Sequence, residues 1–192
     1  TIELKKGKVV SLDKGLTEFE VVVSWRNLRS KLDVDLLCLE LDSSGKLVDM
    51  AYYNSDRDPE TGLLSTDDRA IQYYGDDRGT GLEAGEKMEV NLRKLSPKVV
   101  ELLFVANIYE AGSKYTFANL ADIEVQIKKK GNDVPDLVYR LVDDFSDCRY
   151  LQIASIRREP GSGYVIKPIG IGNSDDLATN LSVYSNNISG NA

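Results

Sequence analysis

Phe19, Val21, Val23 and Trp25 alternate with Glu18, Glu20, Val22 and Ser24. A period of two places one set on a buried face and predicts a half-buried strand. Val34 to Leu41 is an apolar stretch that ends at Asp42-Ser43-Ser44-Gly45, a turn cluster, and Lys46 to Tyr53 resumes as a strand. The pair reads as a hairpin. Glu86 to Leu92 alternates again, with Met88, Val90 and Leu92 on one face. Val99 to Ile108 is almost continuously apolar and bounded by Pro97 and Glu110, the pattern of a central strand covered on both faces. Asp122 to Lys128 alternates Ile123, Val125 and Ile127 against charged and amide residues. Leu137 to Val142, Arg149 to Arg157 and Tyr164 to Ile169 follow as further strands, and short helices or turns are predicted at Leu28 to Leu32, Leu95 to Val99 and Asp175 to Tyr184. Many short strands separated by Gly, Asn and Asp turns predict a mainly β fold, a two-sheet β-sandwich with a few short helices. No repeat or linker breaks it, so residues 1–184 read as one domain and 185–192 as a polar, frayed tail.

Composition narrows the function. The chain has 192 residues, enough for one domain with a substantial core, and 42% of them are apolar. No apolar run approaches the roughly 20 residues of a membrane-spanning helix, and no charged segment followed by an apolar one marks a secretory signal. Two cysteines, Cys38 and Cys148, make no disulfide framework and point to a reduced, cytoplasmic setting. There is no histidine, which removes His-based triads, His acid–base catalysis and His-ligated zinc.

Charge is concentrated. Between Asp33 and Glu89 stand 15 Asp and Glu against 5 Lys and Arg, while the whole chain has a formal net charge of −7. This balance disfavours nucleic acid, which requires a basic surface. Within the window, Asp33-Val-Asp35 places two carboxylates on one side of a strand, where they repel unless a dication joins them; neutralisation by Arg29 or Lys31 is the competing reading. Asn54 follows Tyr52-Tyr53 in a turn. Gly75-Asp76-Asp77-Arg78-Gly79-Thr80-Gly81 offers two adjacent acids among glycines, with Glu83 and Glu86 beyond. Oxygen ligands gathered from several loops are what a hard cation such as Ca²⁺ takes. Asp56-Arg-Asp58-Pro-Glu60-Thr-Gly62 imitates half of an EF-hand loop, but its glycine falls one place late and Pro59 interrupts, so it reads as a solvated turn. Trp25 reads as core, and Lys128-Lys129-Lys130 as a solvated turn.

Over nearly its whole length the chain resembles the TerD-like tellurium-resistance and stress proteins. The resemblance is carried by Gly7-Lys-Val-Val-Ser-Leu-Asp-Lys14, the strand ending in Trp25, Asp33-Val-Asp35, Tyr52-Tyr53-Asn54, Gly75-Asp76-Asp77, Leu103-Phe-Val-Ala-Asn-Ile-Tyr-Glu-Ala111, and Ile169-Gly-Ile-Gly172 followed by Asp176-Leu-Ala178. It implies a β-sandwich that binds Ca²⁺ at an acidic surface, intracellular, within multi-protein stress systems near the inner membrane face. The ligand role carries over to Asp33, Asp35, Asn54, Asp76 and Asp77, and less directly to Glu83 and Glu86, where the family's acidic stretch is thinned. Arg26 stands where the family has Asp after Trp, and the segment 56–72 is longer than the family's. The expectation is a non-enzymatic Ca²⁺-binding module whose ordered acidic loops dock other stress-response proteins. The alternatives are a Mg²⁺-dependent enzyme of phosphoester or oxyanion chemistry using the same acids, and a scaffold whose metal site has decayed.

Overall fold

The computed structural model describes residues 1–28, 32–75, 83–109, 115–161 and 163–189. Thirteen strands stand among them: β1 (Ile2–Glu3), β2 (Val10–Ser11), β3 (Glu18–Asn27), β4 (Val34–Leu41), β5 (Leu47–Ala51), β6 (Leu64–Ser65), β7 (Ile71–Tyr73), β8 (Glu83–Asn91), β9 (Glu101–Ile108), β10 (Leu120–Lys129), β11 (Leu137–Arg140), β12 (Tyr150–Glu159) and β13 (Gly163–Asn173). One helix, α1 (Leu177–Ser189), closes the described chain. The strands form two sheets, in the orders β1-β11-β10-β3-β8-β7-β6 and β2-β13-β12-β9-β4-β5. Every pairing is antiparallel except that of β1 with β11. The expected two-sheet sandwich is observed.

The alternating strand behaves as its pattern requires. Along β3 every second residue is buried, and Phe19, Val21, Val23 and Trp25 face the second sheet. The apolar runs have a different cause. β4 and β9 are the middle of their sheet, and both of their faces are covered. Val34, Leu36 and Cys38 join the core between the sheets, while Leu37, Leu39 and Leu41 join a second cluster on the outer face with Leu103, Val105 and Tyr150. Leu177, Leu181 and Tyr184 of α1 pack on that outer cluster. Each fully buried Leu, Ile or Phe contributes roughly 1.5–3 kcal/mol over leaving it in water, so α1 is an integral cover of the sheet.

Local chemistry sets the connections. The β4–β5 turn is built by Asp42, whose Oδ1 accepts from Ser44 N (2.9 Å), Lys46 N (2.9 Å) and Ser44 Oγ (2.7 Å). Asp176 caps α1, its Oδ1 accepting from Thr179 N at 2.8 Å. The helix or turn expected over 95–99 is a turn, closed by Val99 N donating to Ser96 O at 3.0 Å, and the tight helical turn Leu92–Lys94 precedes it, where Asn91 accepts from Arg93 N. The helix or turn expected over 28–32 falls mostly outside the described residues, with a bend at Leu28. The Asp56–Gly62 loop is more than a solvated turn: Asp58 is 5% exposed and accepts from Gln72 Nε2 (2.6 Å) and Glu60 N (2.9 Å).

Candidate metal and ligand site

The acidic residues of the window separate into two ends of the sandwich. At one end β3 finishes at Asn27, β4 begins at Val34, β8 begins at Glu83 and β9 finishes at Ile108. Asp33 and Asp35 open β4 here, with Tyr109 N donating to Asp33 O at 2.9 Å. Asp35 is 3% exposed and lies directly across from Asn107 of β9. Strand alternation puts Asp35 and Asn107 on the outer face, the face of Leu37 and Val105. Asn54 is exposed in the turn after β5. That turn is fixed by Ser55, whose Oγ accepts from Tyr52 N (3.0 Å) and donates to Met50 O (2.8 Å).

Glu86 sits on the other side of β4. It is 3% exposed and on the face of β8 that carries Met88 and Val90 into the core. Its Oε1 accepts from Leu36 N at 2.7 Å and from the hydroxyl of Tyr73, which is fully buried. Glu86 therefore ties the two sheets together, and the structure does not bring it onto the face of Asp35. Asp76 and Asp77 lie outside the described residues, and of Glu83 only the backbone, at the start of β8 opposite Arg26, is described. Asp33, Asp35 and Glu86 each have further polar or electrostatic partners. Among the described residues no three acidic or thiol groups converge as a metal cluster. Asn27, which the pattern alone did not single out, is 1% exposed at this same end, and neither amide atom has a hydrogen-bond partner among the described residues.

A cavity of about 470 Å³ opens on the outer face, and its lining includes Asn107, the strand partner of Asp35. Tyr52, Tyr53 and Tyr109 form its aromatic wall, with ring centroids 5.1 Å apart for Tyr52–Tyr53 and 6.5 Å for Tyr53–Tyr109. Asn54 and Asn107 supply amides, and Arg149 and the first turn of α1 close the far side. Burial, and then the Asp35 carboxylate, push the Tyr53 phenol above its usual range, with Asp33 adding to the effect. That places the carboxylates within electrostatic reach of the tyrosine ring. Thr179 and, more weakly, the Arg149 guanidinium hold Asp176 below the usual carboxylate range. The signal for Tyr109 and Arg149 was weak in sequence because each stands just outside an apolar strand.

The second acidic end lies five residues along β4, roughly 17 Å away at strand rise. Glu40 is 1% exposed, and alternation with Leu36 and Cys38 turns it between the sheets. It pairs with Asp68, and Asp49 stands across from it on β5. Asp68 already accepts from Thr66 Oγ1 (2.7 Å), Ala70 N (2.9 Å) and Ser96 N (3.0 Å). Two carboxyls can share a hydrogen bond only through a proton, and among the described residues no donor reaches the buried Glu40 Oε2. Burial first, and then Asp68, push Glu40 up to about 9. Asp68 stays below its ordinary value: burial acts against it, and the bonds from Glu40 and the backbone amides outweigh burial. Burial, Glu40 and Asp68 together push the Cys38 thiol well up, so this cysteine is a core residue and not a nucleophile.

Residues 1–184 match the TerD domain. The stress response protein SCP2 of Bacillus subtilis (strain 168) is 26% identical over 196 residues, covering 91% of this chain and 94% of that protein. Two solved structures share the fold. One is a protein of unknown function, SAV2460, with a TM-score of 0.64 and 16% identity over 88% of this chain and 96% of that one. The other is a homologue of telluride resistance protein (TerD), SCO6318 from Streptomyces coelicolor A3(2), with a TM-score of 0.61 and 17% identity over 86% and 95%.

Proposed function

We propose, from the premise that this chain belongs to the TerD domain family, that it is a non-enzymatic stress-response module that binds Ca²⁺ at the β4 end of the sandwich. The observation that carries the reading is the Asp33–Asp35 pair. Two carboxylates of one strand are held at the margin of the outer face, Asp35 is 3% exposed, and both act on the Tyr53 phenol. Desolvated like charges in one place raise the free energy of the empty site. The donor chemistry fits a hard dication: carboxylates from β4, the neutral oxygen of Asn54 and, from the segment after Gly75, Asp76 and Asp77 would hold it. The Cys38 thiol is no ligand here, since it is fully buried in the core. Bound Ca²⁺ supplies the positive charge that cancels the Asp33–Asp35 repulsion. Asp33, Asp35 and Asn54 fix the position of the strand start and the turn, and so shape an acidic surface for docking other stress-response proteins in the cytoplasm or at the inner membrane face.

The test is thermal unfolding in EDTA and in Ca²⁺. An ion at one hundred times its Kd adds about 2.7 kcal/mol. For a chain of this size that is a rise of about 5–10 °C in Tm. Asp35→Asn should lose the Ca²⁺ response. Equal melting temperatures with and without Ca²⁺ for the wild-type protein would sink the proposal.

A further inference from the structure

The groups that the outer-face cavity leaves open are neutral. Its floor is apolar: Met50, Leu177 and Leu181 line it and pack on the outer cluster of the sheet. Tyr52, Tyr53 and Tyr109 stand along one wall. Tyr53 is 36% exposed and Tyr109 58% exposed, so two large rings stay partly in water beside an apolar hollow. The charged side chains of the lining are engaged already. Asp176 caps α1 by accepting from Thr179 N at 2.8 Å, and Arg149 has partners of its own. Asn107 is different. It stands in the middle of the sheet, on β9 between Asp35 of β4 and Tyr150 of β12. It is 3% exposed, yet it lines the cavity. Its backbone belongs to the ladder, while its side-chain amide has no hydrogen-bond partner among the described residues. A polar group so deeply placed is costly to leave unpaired, and this one keeps two donors and an acceptor for whatever enters.

These features remove ligand classes in turn. A charged ligand finds no uncommitted counter-charge in the described lining. A plain hydrocarbon or aromatic ligand covers the tyrosines but leaves the Asn107 amide dry and unpaired. A small acyclic polyol pairs the amide but leaves the rings in water. What fits is a neutral molecule with an apolar face and, at its edge, hydroxyls that both donate and accept. A pyranose has this build: its axial C–H groups form a face that lies on an aromatic ring, and its equatorial hydroxyls radiate from the edge. A volume of about 470 Å³ is in the range of small-molecule sites, which join an apolar and aromatic lining to a few placed polar groups. We propose that this cavity is a saccharide site, in which a neutral hexopyranoside lies with its C–H face on Tyr53 and Tyr109 and adjacent hydroxyls exchange hydrogen bonds with the Asn107 amide. The site requires no metal, and the proposal is independent of the calcium reading.

The experiment is a titration of the EDTA-treated full chain, followed by ¹⁵N chemical shifts, with the methyl pyranosides of glucose, galactose and mannose. Glycerol supplies hydroxyls without a ring face, and cyclohexanol a ring without an array of hydroxyls. At least one glycoside should bind at millimolar concentration, shift the Asn107 and Tyr109 amides, and bind at least about tenfold more tightly than glycerol or cyclohexanol. Asn107→Leu removes no side-chain hydrogen bond made among the described residues and should weaken that glycoside by about tenfold. Tyr109→Ala should weaken it by a similar factor, and this exposed position keeps the test sound if Asn107→Leu unfolds. No glycoside binding at tens of millimolar, glycerol or cyclohexanol binding as tightly, or glycoside binding unchanged in Tyr109→Ala each overturns the proposal. A Ca²⁺ rise in Tm without glycoside binding defeats this proposal and leaves the calcium reading standing; glycoside binding without a Ca²⁺ response does the reverse.

Discussion

Replacing Glu40 by Gln should stabilise the protein at neutral and alkaline pH, although it removes a buried carboxyl group from the end of a strand. In the folded state the Glu40 carboxyl keeps its proton up to about 9, against an ordinary value of 4.5. Between those two values the folded chain holds a proton that the unfolded chain has lost. Stability therefore falls as pH rises through this window, by about 1.4 kcal/mol per unit for a single group. The difference amounts to about 3 kcal/mol at pH 7 and about 6 kcal/mol at pH 9, as upper values, because the proton is shared with Asp68. Gln has nearly the same shape, donates to Asp68 as the protonated acid does, and does not titrate. Urea unfolding at pH 4.5, 7 and 9 measures the effect. Wild type and Glu40→Gln should be nearly equal at pH 4.5, with the variant ahead by about 2–3 kcal/mol at pH 7 and further ahead at pH 9. A variant less stable than wild type at pH 9, or a wild type whose stability is flat from pH 5 to pH 9, would refute the reasoning.

Two further substitutions probe how the sheets are held. Glu86→Ala leaves the Leu36 N–H and the Tyr73 hydroxyl without their buried acceptor; it should cost about 2–4 kcal/mol in urea unfolding, and Glu86→Gln, which keeps an acceptor, about half as much. Gly170→Ala adds a Cβ at φ +70°, 2.7 Å from Tyr139 Oη. The strained backbone and the clash with a buried ring should lower stability by about 2–4 kcal/mol, read as a fall in Tm.

Period and run length carried most of the architecture. β3 and β10 were legible because one face looks inward and the other to solvent, and β4 and β9 because both faces are covered. The strands that escaped notice, β1, β2, β6 and β7, have two or three residues each, too few to show a period. Asp33, Asp35 and Asn54 could be nominated because their oxygens suit a cation. That Asp35 and Glu86 face opposite sides of β4 depends on how two sheets stack, which no local pattern records. Glu40 interrupts the apolar run from Leu36 to Leu41, and that interruption was the available sign of a buried acid. Asp58 looked like a loop acid because its partners Gln72 and Arg69 are distant in sequence.

Residues 35 and 36 are neighbours, and a single peptide plane joins them. Asp35 belongs to the outer surface, while the amide of Leu36 is bonded through Glu86 to Tyr73 in the opposite sheet. The start of β4 is therefore a partition one residue thick between the outer face and the interior. Any rotation of that plane caused by a ligand outside must lengthen or shorten a bond inside. The Tyr73–Glu86–Leu36 chain thus makes the core of this protein answer to the position of its outermost strand start.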